Sequence, residues 1–183
     1  NQPYIHYRKG SVVLYALKDY VGADVINSAL AAFIEDHAFK GPPYPTTKQL
    51  LAEIRSRSPE EYQDVITDLF EKIVLYDLKV ADSSVRDLED GRYEVSIDVE
   101  ARKFEADGEG RENEVPISVW VDIGVLGEEQ GELKIPEILY LEKVEVSANT
   151  SSFTIVVDKA PVSVGIDPLH KLIDRNPSDN VTD

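Results

Sequence analysis

Three histidines are the residues of this sequence best suited to bind a metal ion. His6, His37 and His170 are far apart along the chain, and none has a second histidine or a carboxylate at metal-ligand spacing on a helix. His37 falls at a predicted helix end, where its charge complements the helix dipole. His170 falls in a polar tail, where exposure to solvent is the favoured interpretation. The sequence therefore predicts no metal ligand among these residues.

Carboxylates and amides cluster near the C-terminus, at Asp167, Asp174, Asn176 and Asp179. A calcium loop needs oxygen ligands at tight spacing around a turn-making glycine, and that pattern is absent from the sequence. Short polar side chains of this kind commonly hydrogen-bond to nearby backbone groups, so we expect turns and caps here. The sequence also contains no H-E-x-x-H, G-x-S-x-G, P-loop or dinucleotide-binding glycine pattern, and therefore no complete catalytic motif.

A third candidate is a tyrosine near the N-terminus. Tyr7 stands two residues before Lys9 and is followed by Gly10 and by apolar positions at helical spacing. A neutral phenol can donate a hydrogen bond to the negative charge that develops on a carbonyl oxygen during hydrolysis. From the residues alone, a tyrosine packed at a helix start with a bonded hydroxyl is the favoured interpretation. Tyr4 and His6 flank Tyr7 without an assignable role.

The order of residues around Tyr7 resembles that of zinc aminopeptidases of the aminopeptidase N type, which are gluzincin metallopeptidases. That family carries a Tyr-x-Lys-Gly-x-x-x-Leu segment downstream of its zinc helix. The segment opens a helix, which is followed by a glycine-containing turn and a second helix. The matching residues here are Tyr7, Lys9, Gly10 and Leu14, continued by Gly22, Phe33 and the pair Phe39-Lys40. The stretches Gly41 to Pro45 and Leu172 to Pro177 are similar to those of bacterial membrane members, some joined to ABC-type permease segments, so the resemblance spans nearly the whole chain.

The resemblance implies that Tyr7 is the catalytic tyrosine, whose hydroxyl donates a hydrogen bond to the oxyanion of the tetrahedral intermediate, opposite the zinc. The family's zinc helix, its general-base glutamate, its later glutamate ligand and its N-terminal β domain have no counterpart in this sequence. The implied zinc cofactor and peptide substrate therefore belong to an intact parent protein, the longer chain of which these residues would form the C-terminal part. We expect the chain alone to hold no cofactor and to be inactive, with the upstream catalytic domain of its parent as its partner. The resemblance places the parent in the bacterial inner membrane, with a periplasmic peptidase head.

Amino-acid composition argues against several classes of binding partner and of site. The formal net charge is −16, from 35 acidic and 19 basic side chains, which argues against binding to nucleic acid or to anionic lipid. The absence of Cys excludes a disulfide framework and a thiolate metal site. The sequence has no Met and opens on Asn1-Gln2-Pro3, from which we expect a segment excised from something longer. No stretch reaches the length of a membrane span and no signal peptide is present, so we expect a soluble fragment.

Four helices are predicted before about residue 78, where apolar residues recur at helical spacing. The first covers about 10–20 and ends at a Gly22 cap, and the second covers about 24–37 and ends before the proline-rich stretch. Thr46 and Gln49 form a capping box that opens the third, which runs to about residue 56. Ser58 as N-cap and Pro59 at the first helical position open the fourth, which carries apolar residues as far as Ile73.

Apolar and polar residues alternate after about residue 78, which predicts strands over 93–101, 117–125, 139–146, 153–157 and 162–166, with turns at 107–110 and 127–131. The predicted fold class is α+β, with an N-terminal four-helix segment followed by an antiparallel Ig-like β-sandwich. The predicted domains are a helical segment, residues 1–77, that is the C-terminal part of a peptidase catalytic domain; a β-sandwich, residues 78–166; and a polar C-terminal tail, residues 167–183. The apolar Leu169, Leu172 and Ile173 allow part of the tail to dock.

Two other interpretations stay open. In one, the parent keeps the aminopeptidase fold without its activity, and this chain is a scaffold or protein-binding module of a membrane-associated protein. In the other, the chain is a stand-alone domain and the resemblance is accidental. The fragment interpretation expects an exposed apolar patch on the first helices, or a dimer formed through it, whereas a stand-alone domain is expected to be a monomer without such a patch.

Overall fold

A computed structural model of the chain describes residues 9–183. The chain forms two compact units, a helical unit that ends at Lys72 and a sandwich unit that covers Ile73–Asp183. The helical unit contains α1 (Gly10–Val21), α2 (Ala23–His37), α3 (Thr47–Arg57) and α4 (Gln63–Phe70). The four predicted helices are therefore confirmed, three of them with nearly the predicted bounds.

Local chemistry explains where these helices begin and end. Gly22 has φ 88°, a conformation that glycine adopts without a steric penalty, and its N–H closes α1 on the Lys18 carbonyl oxygen. The predicted capping box opens α3, where the Thr46 N–H donates to Gln49 Oε1 at 2.7 Å. Ser58 behaves differently from the prediction, because its hydroxyl donates back to the Ile54 carbonyl oxygen at 2.8 Å. It therefore terminates α3 instead of capping α4.

The start of α4 is the other departure within the helical unit. A 3₁₀ turn, Glu60–Tyr62, follows Pro59, and regular α-helix begins only at Gln63. Arg55 of α3 fixes this arrangement, since its guanidinium donates to Gln63 Oε1 at 3.1 Å and to Thr67 Oγ1 at 2.9 Å. The unit buries one apolar face from each helix, including Leu17, Ile54 and Ile66.

The sandwich unit contains eight strands in two antiparallel four-stranded sheets. The strands are β1 (Ile73–Asp87), β2 (Tyr93–Ala106), β3 (Glu112–Val115), β4 (Val119–Gln130), β5 (Ile135–Val146), β6 (Thr150–Val157), β7 (Ser163–Ile166) and β8 (Val181–Thr182). In the first sheet β2 pairs with β1 along its whole length, with β6 beside its first part and with β3 beside its last part. The second sheet has the order β5-β4-β7-β8. The two antiparallel sheets share one apolar core, which confirms the α+β class with helices followed by a β-sandwich.

Alternation along the strands builds the sandwich core. Val95, Ile97 and Val99 of β2 are buried, while Asp98 between them is exposed. Val121 and Ile123 of β4 belong to the same buried cluster. The strands are predicted from apolar residues at every second position, and these are the residues whose side chains fill the core.

The predicted boundaries differ from the structure at β1. The sequence pattern extends the fourth helix to Ile73 and begins the sandwich at residue 78, whereas Ile73 already pairs with Ala106. The reason is the alternating burial of Val74, Tyr76 and Leu78 in the core, which commits this stretch to a strand. Neither β1 nor the short β3 is among the predicted strands.

The predicted turn at 127–131 is displaced. Strand β4 continues to Gln130, which pairs with Ile135, and the chain reverses over 131–134. The turn predicted at 107–110 is confirmed, with the Asp107 N–H donating to the Arg111 carbonyl oxygen at 2.9 Å.

Residues 167–183 are not a separate tail, because they belong to the sandwich unit. The Tyr76 N–H donates to the Ile173 carbonyl oxygen and the Arg175 N–H donates to the Tyr76 carbonyl oxygen, both at 2.9 Å. Leu172 enters the core cluster, and β8 completes the second sheet. Docking through Leu172 is confirmed, whereas Leu169 stays exposed.

Candidate functional site

Tyr7, the predicted catalytic residue, lies outside the described residues, as do Tyr4 and His6. The other two histidines are in different units. His37 is the last residue of α2, with its ring 4.9 Å from that of Phe33, and His170 is exposed in the turn that follows Asp167. Within residues 9–183, no three His, Cys, Asp or Glu side chains come together in a way that could hold a metal ion.

Lys9 is the part of the tyrosine motif that the structure describes in most detail. It immediately precedes α1 with helical backbone angles, φ −63° and ψ −45°, and makes no side-chain capping hydrogen bond. Its ammonium group reaches across the unit instead, and Nζ donates to the Lys72 carbonyl oxygen at 2.9 Å. Partial burial of the ammonium group lowers the pKa of Lys9 from its ordinary value.

The rest of α1 is held by apolar packing. Val13, Ala16 and Leu17 are buried on one face, and the Tyr20 ring lies 5.6 Å from the Tyr62 ring. The first turn contributes less to this face, since Ser11 and Val12 are exposed. The hydrogen bond from Lys9 to Lys72 therefore links the start of α1 to a residue 63 positions further along the chain.

A buried ion cluster in the sandwich unit has no counterpart in the sequence predictions. Asp122 of β4 is 4% exposed, and its carboxylate accepts from Lys171 Nζ at 2.5 Å and from Lys143 Nζ at 2.9 Å. Alternation places Asp122 on the face opposite Val121 and Ile123, where a carboxylate would normally meet water. It is buried because the chain after β7 folds over that face.

The close approach of this covering segment is visible at Gly124. A Cβ atom there would come within 2.8 Å of Pro168 Cγ, so only glycine leaves room for the segment to pass. The sequence holds a weak signal for this contact, namely a glycine between two buried positions of an apolar strand.

Asp167 begins the covering segment and is 1% exposed. Its two carboxylate oxygens accept the N–H groups of Lys171 and Leu172, each at 2.9 Å, and its own N–H donates to the Asp122 carbonyl oxygen at 2.8 Å. Burial raises the pKa of Asp167 to about 6, against the opposing effect of the two N–H donors. This carboxylate caps a turn, as predicted for the acidic residues of this region.

Asp174 has a similar role. One carboxylate oxygen accepts the Asn176 N–H at 2.7 Å and the other accepts the Leu78 N–H at 2.9 Å, and burial raises the pKa of this group. Asn176 in turn donates to Asp179 at 2.7 Å. The expectation that these side chains bond to nearby backbone groups is therefore confirmed for Asp167 and Asp174, whereas Asn176 and Asp179 bond to each other through their side chains.

These carboxylates are suited to holding the fold together rather than to acid–base chemistry. Asp122 already has an ammonium group on each oxygen, so both oxygens are engaged inside the protein. Asp167 has each of its oxygens engaged by a backbone donor. The hydrogen bonds and ion pairs of Asp122 and Asp167 therefore hold the C-terminal segment in place. The tyrosine motif stays the candidate for chemistry.

No protein-family model and no curated protein matches the sequence. Among the helices of residues 9–183, none combines the length and the apolar character that crossing a membrane requires.

Proposed function

We propose that this chain is the C-terminal part of a zinc aminopeptidase-like protein of the aminopeptidase N type, and that it contributes one catalytic residue, Tyr7. The observation that carries the proposal is the order of elements around the motif. The Tyr-x-Lys-Gly segment leads directly into α1 at Gly10, a glycine with positive φ separates α1 from α2, and the Phe39-Lys40 pair follows α2. This is the order that the resemblance implies.

The exposed surface of the first helices also supports the proposal. Val12 and Tyr15 of α1 and Ile34 of α2 are exposed, at 37%, 55% and 60%. Large apolar side chains on two neighbouring helices are what we expect where an upstream catalytic domain, or a second copy of the chain, covers them.

The chemistry of Tyr7 in such a parent is that of an oxyanion donor. Zinc bound by upstream residues would polarise the scissile carbonyl and lower the pKa of its bound water. The Tyr7 hydroxyl would donate a hydrogen bond to the carbonyl oxygen as negative charge develops on it. A neutral donor of this kind stabilises the transition state more than the ground state.

In the proposed parent the helical unit completes the catalytic domain and the sandwich unit serves as a spacer. The peptide substrate binds to the parent, whose peptidase head lies in the bacterial periplasm and whose anchor lies in the inner membrane. The formal net charge of −16 is consistent with a protein surface that does not bind nucleic acid.

Metal content and hydrolysis test the proposal together. The parent and the isolated 183-residue chain are dialysed, assayed for zinc by mass spectrometry and tested with aminoacyl anilides. We expect stoichiometric zinc and hydrolysis in the parent and neither in the isolated chain. Stoichiometric zinc in the isolated chain, or a zinc-free inactive parent, would contradict the proposal.

A second candidate function is a scaffold or protein-binding module in a parent that has lost activity. The β4–β5 hairpin favours it, because Leu133, Ile135 and Ile138 are exposed there at 82%, 60% and 51% among acidic residues. The sequence upstream of Asn1 separates the two candidates. An intact H-E-x-x-H followed by a glutamate ligand favours the enzyme, and a degraded motif favours the scaffold.

A further inference from the structure

We propose that the buried side chains of Lys171 and Asp122 are the site of an intramolecular amide bond, which forms between Lys171 Nζ and Asp122 Cγ with the loss of one water molecule. This covalent modification joins the covering segment after β7 to strand β4, across 49 positions of the chain. The inference concerns the sandwich unit alone and does not depend on the proposed function of the parent protein.

The contact between the two reacting groups is the first argument. Lys171 Nζ lies 2.5 Å from Asp122 Oδ2, and the carboxyl carbon is only one further bond away, about 1.2 Å in length. The nitrogen is therefore within reach of the carbon, since reacting atoms need a separation of about 3–3.5 Å. Two groups that a fold holds side by side react as though their concentration were about 10⁵–10⁸ M.

The exclusion of water is the second argument. The side chains of Lys171 and Asp122 are only 6% and 5% exposed. Condensation of a carboxyl group with an amine releases water, and in bulk solvent the reverse reaction, hydrolysis, is favoured. A site closed to solvent expels that water and prevents hydrolysis. Burial also makes a pair of opposite charges costly, and a neutral amide removes both charges.

The third argument is the position of Lys143. Its Nζ donates to the other oxygen of the same carboxylate, Asp122 Oδ1, at 2.9 Å. Lys143 lies there because the register of β4 and β5 pairs it with Asp122. Negative charge collects on Oδ1 when the Lys171 nitrogen attacks Cγ, and an ammonium group already in place stabilises that charge.

The atoms and electrons of the step balance within the pair. Asp122 enters as a carboxylate and Lys171 as an ammonium group with three protons. Transfer of protons to Oδ2 frees the nitrogen electron pair, which forms the bond to Cγ. The bond between Cγ and Oδ2 then breaks, and Oδ2 leaves as water with two of the three protons. The third proton stays on the amide nitrogen, and Oδ1 becomes the amide oxygen.

Intact-mass spectrometry of the denatured full chain tests the proposal. We expect the wild-type mass to be lower than the mass of the sequence by one water molecule. A proteolytic digest should contain a branched peptide that joins Asp122 to Lys171. Lys171→Arg keeps a cation beside Asp122 without the amine, so this variant should have the full mass of its sequence. Lys143→Met should slow the appearance of the branched peptide about 10²-fold, and an unchanged rate would remove Lys143 from the reaction.

The pair Lys159 and Glu137 is a matched control within the same digest. Its Nζ to Oε1 distance is also 2.5 Å, but Lys159 is exposed to solvent, so we expect no branched peptide there. A branched peptide from both pairs would contradict the argument from burial. A wild-type mass equal to that of the sequence would overturn the proposal. So would a loss of water confined to a linear peptide, since that product is a cyclic imide at an aspartate. If circular dichroism shows that Lys171→Arg does not fold, the wild-type digest decides alone.

Discussion

At the scale of single residues, burial determines what the acidic side chains of this chain do. The sequence predicts turn and capping bonds for Asp167, and the structure adds that the carboxyl group is almost fully enclosed. That enclosure is not readable from the sequence, because it depends on the chain after β7 folding back over β4. The same covering segment buries Asp122, whose position in an alternating strand would otherwise predict exposure.

The raised pKa of Asp167 predicts a pH dependence of stability. With a folded pKa of about 6 against an ordinary value of 3.8, this group stabilises the fold fully below about pH 3.8 and loses that contribution as the pH rises through about 6. The loss amounts to about 3 kcal/mol, at about 1.4 kcal/mol for each pH unit. Relative to Asp167→Asn, the unfolding free energy of the wild type, measured in urea, should therefore fall between about pH 4 and pH 7.

Asp90→Asn is the control for this measurement. Its side chain is exposed, and hydrogen bonds from Arg92 hold the pKa of Asp90 below its usual range, so this substitution should not alter the profile near pH 6. Parallel profiles for the wild type and Asp167→Asn would show that burial does not govern this group.

At the scale of elements, the sequence predicts helices and strands best where their signals are strong and local. The capping box at Thr46 and the glycine that ends α1 are local signals, and both function as predicted. The strands that alternate most regularly, β2 and β4, are also predicted. The start of β1 is missed because Ile73, Val74 and Tyr76 also suit a helical stripe, and only pairing with distant β2 decides between the two.

Close packing between β7 and β8 gives an element-scale prediction. A Cβ atom at Gly165 would come within 2.5 Å of the Asn180 carbonyl oxygen and within 3.2 Å of Val181 Cα, and backbone atoms cannot move aside cheaply. We expect Gly165→Ala to lower the unfolding free energy by about 1–3 kcal/mol, measured by chemical denaturation.

Gly108→Ala is the matched substitution in a turn, where a new Cβ atom meets nothing within 4 Å. It should change the unfolding free energy by less than about 1 kcal/mol. Equal effects of the two substitutions would contradict the assigned packing of β8 against β7.

At the scale of the whole molecule, the sequence predicts a helical segment, a β-sandwich and a separate polar tail. The structure contains two units, divided at Lys72 rather than at residue 77, and the predicted tail belongs to the sandwich unit. The core cluster of the sandwich unit is built from residues between Val74 and Leu172. A fragment of residues 73–183 should therefore unfold cooperatively by itself.

Shortening that fragment to residues 73–166 tests the role of the C-terminal segment. It removes Leu172 from the core, Lys171 from Asp122, and β8 from the second sheet. Loss of a buried leucine side chain from a core costs about 2–5 kcal/mol. Because the truncation also removes the covering segment and the strand partner of β7, we expect the shorter fragment to be largely unfolded in thermal scans. Equal stability of the two fragments would contradict the assignment of residues 167–183 to the sandwich unit.

We propose that Tyr7 is an oxyanion donor in a zinc aminopeptidase, and the decisive measurement is the steady-state kinetics of Tyr7→Phe in the parent. The substitution removes one hydroxyl and keeps the ring, so folding and substrate binding should change little. We expect kcat to fall by about 10²–10³ while KM stays close to its wild-type value. A kcat equal to that of the wild type would contradict it.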